Sequence, residues 1–321
     1  MRKWWCTLLA GTMALGSVTA FAEEPAEQWV QKMLAASRQT SFQGQSVLLS
    51  GGKVTSMTIY HAPVENEVWE RVVHMSGEPS EILRKGSVIS CLHPGSASRL
   101  DVGRTPIGKI TALEESAQSI SRYYRFKRAG MERVAGREGV RIDVEPLDSN
   151  RFGYSLWLDE ASGVLLKSQT NPAEGDPLEV FEFVAVSIGV PVPLSAFEPS
   201  IELQSADADV LTTEAEAKPQ HDTNWEAAWL PDGFRQAGRT TAKAARPERS
   251  ARVYTDGLAA FTVFFEPSLP QSREATRAHG ATVAVNRLIP EAQRLVTVVG
   301  EIPLATANRV AENVRVLASS Q

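Results

Sequence analysis

Apolar residues fall at every second position through much of the N-terminal half of this chain. In GVRIDVEP, Val140, Ile142 and Val144 lie on one side and Arg141, Asp143 and Glu145 on the other. That is the period of a strand with one buried face. RFGYSLWLDEASGVLLKSQT, residues 151–170, repeats the pattern on both sides of a turn. Phe152, Tyr154, Leu156 and Leu158 share one face there, and Trp157 is the one large apolar residue on the other. SFQGQSVLLSGGKVTSMTIYHA gives a strand near Gln43 to Leu49, a Gly51-Gly52 turn and a strand near Val54 to His61. EVWERVVHMSGEPSEILRKGSVISCLHPG reads as three further strands, and LEVFEFVAVSIG as another. Eight or nine strands joined by short turns make an antiparallel meander. One helix precedes it: from Ala26 to Arg38, Trp29 and Met33, and Val30 and Leu34, are spaced four apart on one stripe.

Two segments interrupt the alternation. Between Leu92 and Arg122 a long stretch contains a capping box, Thr111 to Glu114, followed by Leu113, Ala117 and Ile120 at helical spacing. A short helix on a long loop is either a lid or a connector. From Gln204 to Asn224, QSADADVLTTEAEAKPQHDTN is polar and acidic and reads as a solvated tether. Beyond it, LAAFTVFFEP puts Phe261, Val263 and Phe265 on one face, and GATVAVNRL and RLVTVVGEIP read as a hairpin. A closing helix from about Ala305 to Leu317 completes a small α+β unit. The expected organisation is therefore a leader at 1–22, an N-terminal domain at 23–203, a linker at 204–224 and a C-terminal domain at 225–321.

The leader rests on MRKWWCTLLAGTMALGSVTAFAEE: Arg2 and Lys3, an apolar stretch, then Ala20-Phe21-Ala22. This is the layout of a secretory signal peptide, and the apolar run is short for a membrane anchor. Glu23 stands where a lipoprotein would have cysteine. Cleavage leaves 31 basic against 38 acidic residues, moving the formal charge from -5 to -7. That disfavours nucleic acid, which needs a basic face. Cys91 would be the one remaining cysteine, so no internal disulfide is available.

Chemistry-bearing patterns are scarce. His61, His74, His93, His221 and His279 show neither the spacing of a helical zinc pair nor HExxH. There is no nucleophile elbow, phosphate loop or dinucleotide fingerprint. Asp159, Ser162 and Gly163 are residues a hairpin loop favours. No catalytic, metal or cofactor site is expected, and a hydrolase would have to use His61 and His74. Binding remains, because one helix cannot cover both faces of such a sheet, which either closes or leaves a concave apolar surface. Trp69, Trp157, Phe181 and Phe183 are the large residues expected near that surface.

Several stretches together resemble the RseB/MucB family: SFQGQSVLL, RVAGREGVRIDVEPLDSNRFGYSLWLDEASGVLLKS, WLPDGF, YTDGLAAFTVFFEP and VTVVGEIPLATANRVAENV. The resemblance spans nearly the whole chain after residue 22, in the same order. It implies an α+β protein: an unclosed antiparallel β-barrel of the LolA/LolB type with helices, followed by a smaller C-terminal domain. It further implies a periplasmic negative regulator. Such a protein binds the periplasmic domain of a membrane-spanning anti-sigma factor, shields it from proteolysis, and is released by lipid or lipopolysaccharide. A lipid or lipoprotein carrier is the alternative for the same half-barrel. Trp229, Leu230, Tyr254 and Asp256 are expected near the domain junction or the partner. Oligomeric state, including a homo-oligomer, stays open.

Overall fold

The computed structural model describes residues 24–86, 88–92, 117–200, 208–214, 225–242 and 250–317. The expected leader, the capping box, His93 and His221 lie outside the described residues. Helix α1 (Ala26–Gln39) leads into β1 (Phe42–Ser50), β2 (Lys53–Val64), β3 (Glu67–His74), β4 (Glu81–Lys85) and β5 (Val88–Leu92), an antiparallel meander. A single helical turn, α2 (Ala117–Ile120), precedes a second meander. Its strands are β6 (Tyr124–Val134), β7 (Arg137–Pro146), β8 (Gly153–Asp159), β9 (Leu165–Asn171) and β10 (Glu179–Ile188). β10 then pairs with β1 along its length, from Phe42 opposite Ile188 to Ser50 opposite Glu179.

Their ladders run in the order β6-β7-β8-β9-β10-β1-β2-β3-β4-β5, and among the described residues β5 forms no ladder with β6, so the sheet curls without closing. There are ten strands here rather than eight or nine. The unannounced one is β6, YRFKRAGMERV, whose charges hide its period. The tight turns explain the meanders. Gly51-Gly52, Glu65-Asn66 and Ala135-Gly136 all have positive φ at both positions. That is the type I′ geometry whose twist matches paired strands.

The concave face holds the first core. Helix α1 lays Trp29, Val30, Met33 and Leu34 onto Phe42, Ile59, Val72, Ile142, Leu156, Phe181 and Phe183. Ile120 of α2 joins them, 1% exposed. The stripe read from sequence is thus the plug of the half-barrel. On the convex side a connecting segment covers β3 and β4. Phe197 packs edge-on against Trp69, centroids 5.9 Å apart. Arg71 donates to Glu81 at 2.8 Å and to the Ala196 carbonyl at 3.1 Å, and Glu81 accepts from the Ser200 amide at 3.1 Å.

The segment expected as a solvated tether differs from expectation. Residues Ala208–Glu214 form β11, which pairs with β5 on one side and with β13 (Arg235–Ala242) on the other. Val210, Thr212 and Thr213 are β-branched, and a strand flanked on both edges is held by main-chain hydrogen bonds whatever its polarity. The sheet therefore continues through β13 into β14 (Ser250–Thr255), β15 (Ala260–Pro267), β18 (Arg294–Gly300), β17 (Thr282–Ile289) and β16 (Ala275–His279). Helix α3 (Leu304–Glu312) crosses β17 and β18 with Ala307, Val310 and Ala311 buried, over a second core built on Phe261, Val263 and Phe265. α3 ends earlier than the expected Leu317. After Asn313 the chain turns extended, and β19 (Val314–Val316) pairs with β12 (Trp225–Ala227) because alternating valines favour a strand.

Trp157 is 2% exposed on the convex face, in a small cluster with Val134 and Leu166. Arg141 and Lys167 lie over its ring at 5.2 and 4.9 Å. Trp157→Ala should therefore lower stability by about 3–5 kcal/mol, as for other buried large-to-small changes. The urea midpoint at constant m value measures it, and an unchanged midpoint would contradict the packing.

Candidate functional site at the domain junction

The loop between β7 and β8 carries Arg151, a side chain with partners in both halves of the chain. Its Asp148 accepts the Asn150 amide at 2.9 Å and both sides of the Arg151 fork, Nε at 3.0 Å and Nη2 at 2.9 Å. Arg151 Nη1 donates to Asp256 Oδ2 at 2.6 Å, and Nη2 to the Asp232 carbonyl at 2.6 Å. The rings of Tyr123, Tyr124 and Phe234 surround the guanidinium at 5.0, 5.5 and 5.2 Å. Asp256 in turn accepts Tyr124 Oη at 2.9 Å, and its other oxygen accepts the amides of Leu258 and Ala259 at 2.9 and 2.7 Å.

Arg151 and Asp256 side chains are both 0% exposed. A guanidinium and a carboxylate removed from water are costly unless each remaining donor and acceptor is matched. Here the three guanidinium nitrogens donate four bonds, and both Asp256 oxygens accept. Burial pushes the Tyr124 phenol well above its ordinary value, with Tyr154 and Asp256 adding to it, so it stays a donor. Arg151 and Tyr124 belong to the N-terminal half and Asp232 and Asp256 to the C-terminal half, so the network clasps the two. Gly233 has φ +85°, and a Cβ there would run into the Tyr123 ring, which allows WLPDGF to press onto that ring.

A second contact lies at the same end of the half-barrel. A Cβ on Gly280, in the β16–β17 turn, would collide with Ser50 Oγ, and one on Gly51 would lie 2.6 Å from the His279 ring. The C-terminal domain thus meets the β7–β8 loop and the β1–β2 turn together.

The residues expected at the junction divide. Asp256 reaches across. Tyr254 packs within the C-terminal core, stacked on Phe261 at 5.4 Å. Trp229 and Leu230 pack against that same core, and Arg309 lies 4.0 Å over the Trp229 ring. The residues expected near a cleft divide too. Phe181 and Phe183 are in the concave core, Trp157 is on the opposite face, and Trp69 sits under the connecting segment, so the four do not line one surface. Sequence reasoning missed Arg151, Asp148 and Tyr124. An arginine in a polar loop looks solvated until its partner, 105 residues away, is known.

His61 and His74 occupy adjacent strands on the same face, since His61 is opposite Glu70 and Met57 opposite His74. Four residues of strand separate them, about 13 Å at ~3.3 Å per residue. His61 is fully buried, with Nε2 2.9 Å from the Ser37 carbonyl and Nδ1 3.5 Å from Glu70. The two histidines do not converge on a substrate. Cys91 lies on β5 opposite Ile82. Among the described residues, no group of three or more His, Cys, Asp or Glu is arranged to hold a metal, and no helix is long and apolar enough to cross a membrane.

Two measurements check this site. Asp256→Ala leaves Arg151 buried beside a missing partner and should cost about 3–5 kcal/mol, and a double-mutant cycle with Arg151→Ala should show strong coupling. The pH dependence has a definite sign. Burial raises the Glu81, Asp148 and Asp159 carboxyls, but hydrogen bonds, led by those from Arg71, Arg151 and Arg137 respectively, outweigh it and hold all three below their ordinary values. A lowered folded pKa gives stability that is present above the unfolded value and lost on acidification. The urea midpoint should therefore fall as pH drops from about 5 toward 2, and a midpoint that is flat or rises there would contradict the assignment.

The comparisons with known proteins agree with this architecture. The description MucB/RseB N-terminal domain matches residues 25–201, and MucB/RseB C-terminal domain matches residues 219–315. The chain is 32% identical over 330 residues to the sigma factor AlgU regulatory protein MucB of Pseudomonas aeruginosa, covering 100% of both. It is 25% identical over 321 residues to the sigma-E factor regulatory protein RseB of Escherichia coli K12, covering 98% of both. Among solved structures, MucB in complex with MucA(peri) matches with a TM-score of 0.69 at 30% identity, over 92% of this chain and 100% of that one. MucB alone matches at 0.70 and 29%, over 91% and 98%. With both halves matched in order, this chain belongs to the MucB/RseB family.

Proposed function

We propose that the protein is a periplasmic negative regulator of a sigma-E-type stress response. It binds the periplasmic domain of a membrane-spanning anti-sigma factor and shields that domain from proteolysis. One observation carries the reading: a relative aligned over the full length of both chains is named a sigma factor regulatory protein, and its structure is solved with MucA(peri). The leader read at residues 1–22 supports the periplasm. The separated histidines support a role in binding rather than catalysis.

The packing of α1 on the concave face bears on the alternative. A lipid or lipoprotein carrier would have to open the concave core into which Trp29, Met33 and Leu34 of α1 pack. Lipid or lipopolysaccharide enters the reading as a releasing ligand, which weakens partner binding by its differential affinity for the partner-free form. Calorimetric titration with the anti-sigma periplasmic domain should give micromolar or tighter binding, on the order of -8 kcal/mol or more favourable. The site-1 protease should cut that domain more slowly when this protein is present. Equal cutting rates would sink the proposal, and acyl-chain binding without any protein partner would favour the carrier.

A further inference from the structure

Among the described residues the continuous sheet ends at two edges, β16, which pairs with β17, and β6, which pairs with β7. β16 is short at 5 residues, whereas β6 is 11 residues long. Among the described residues the one ladder that β6 forms is with β7, so its other side offers main-chain donors and acceptors to an incoming strand. Residues 129–133 are exposed, as are Arg125 and Lys127, whose side chains are 63% and 54% accessible. Both of these lean on the same carboxylate, Glu145, itself 42% accessible, and such surface pairs hold their charges weakly.

Charge singles out this edge. The β6–β7 hairpin and its lead-in, residues 122–145, carry seven Arg and Lys against four Asp and Glu, in a chain whose formal net charge is -5. The edge also has a bulge: the register passes from Arg128 opposite Ile142 to Gly130 opposite Arg141, leaving Ala129 unmatched. A bulge and like charges oppose edge-to-edge pairing of two identical copies, because that pairing sets cation against cation. The same charges favour an acidic strand.

Resting on the regulator reading, we propose that β6 is a docking edge on which an extended, acidic segment of the partner polypeptide adds as a further strand. Main-chain pairing supplies the affinity, and Arg125, Lys127 and Arg133 supply the selection for acidic side chains. The test uses the whole protein with the anti-sigma periplasmic domain as probe. Amide exchange across Tyr124–Val134 should slow on binding. Combined Arg125→Glu, Lys127→Glu and Arg133→Glu should weaken binding by about tenfold or more and flatten its salt dependence. Glu132→Lys, which adds a cation to the same edge, should tighten binding, and it decides the matter if the triple variant does not fold. Partner binding with unchanged β6 exchange and unaltered variant affinities overturns this proposal alone. Salt-sensitive binding without slower exchange makes β6 a charged patch and overturns strand addition. Protection of β6 by dimerisation of the free protein gives the edge to a second copy and overturns it as well. No binding by the unmodified protein defeats the regulator reading together with this one.

Discussion

Pairing of β1 with β10 joins two five-stranded meanders into one curled sheet. Such a sheet has a concave face, a convex face and two edges, and each must be covered or made harmless. The concave face is closed by α1, which emerges only two residues before β1 and so has little choice but to fold back over it. Part of the convex face is covered by the segment pinned through Arg71 and Glu81. The β5 edge is taken by β11. What this sequence of coverings leaves is β6, and β6 carries the charges and the bulge.

The junction is held by charge where apolar packing would have served for stability. Replacing a buried ion pair with apolar residues is often neutral or stabilising, so a retained pair is better understood through geometry than through energy. Arg151 offers directed bonds to a side chain on one C-terminal turn and a carbonyl on another, and only one relative placement of the two halves satisfies both. Gly233 and Gly280 permit the close approach that this placement needs.

How much of this was legible follows from the range of the interactions. The hairpins show in the sequence because period-2 alternation and Gly51-Gly52 are local signals. The α1 stripe shows for the same reason. β6 does not, because an edge strand with one exposed side needs no apolar alternation beyond Tyr124, Phe126 and Val134. β11 does not, because Val210, Thr212 and Thr213 stand in a polar, acidic run and the strands they pair with lie outside that segment. Arg151 is silent for a different reason: a charge reads as solvated unless its partner is in view, and here the partner lies on the other domain. Asp256 is expected near the junction from the family resemblance, and its bond to Arg151 shows only once the two halves are brought together.

Tyr124 ties the interior to the junction. Its ring is part of the concave core, 1% exposed, while its hydroxyl donates to Asp256. A change in what fills the half-barrel therefore acts on a residue that also holds the clasp. If Tyr124 shifts, Asp256 loses one of its donors in a place water does not reach, and a buried acceptor left short costs about 1–3 kcal/mol. That is comparable to the coupling free energies by which one site commonly alters another. Coupling of this kind requires no large motion, only that the interior and the junction share a residue with a hydrogen bond to lose. The fold supplies that residue at the first position of β6, so the edge strand, the core and the clasp meet at one point in the chain.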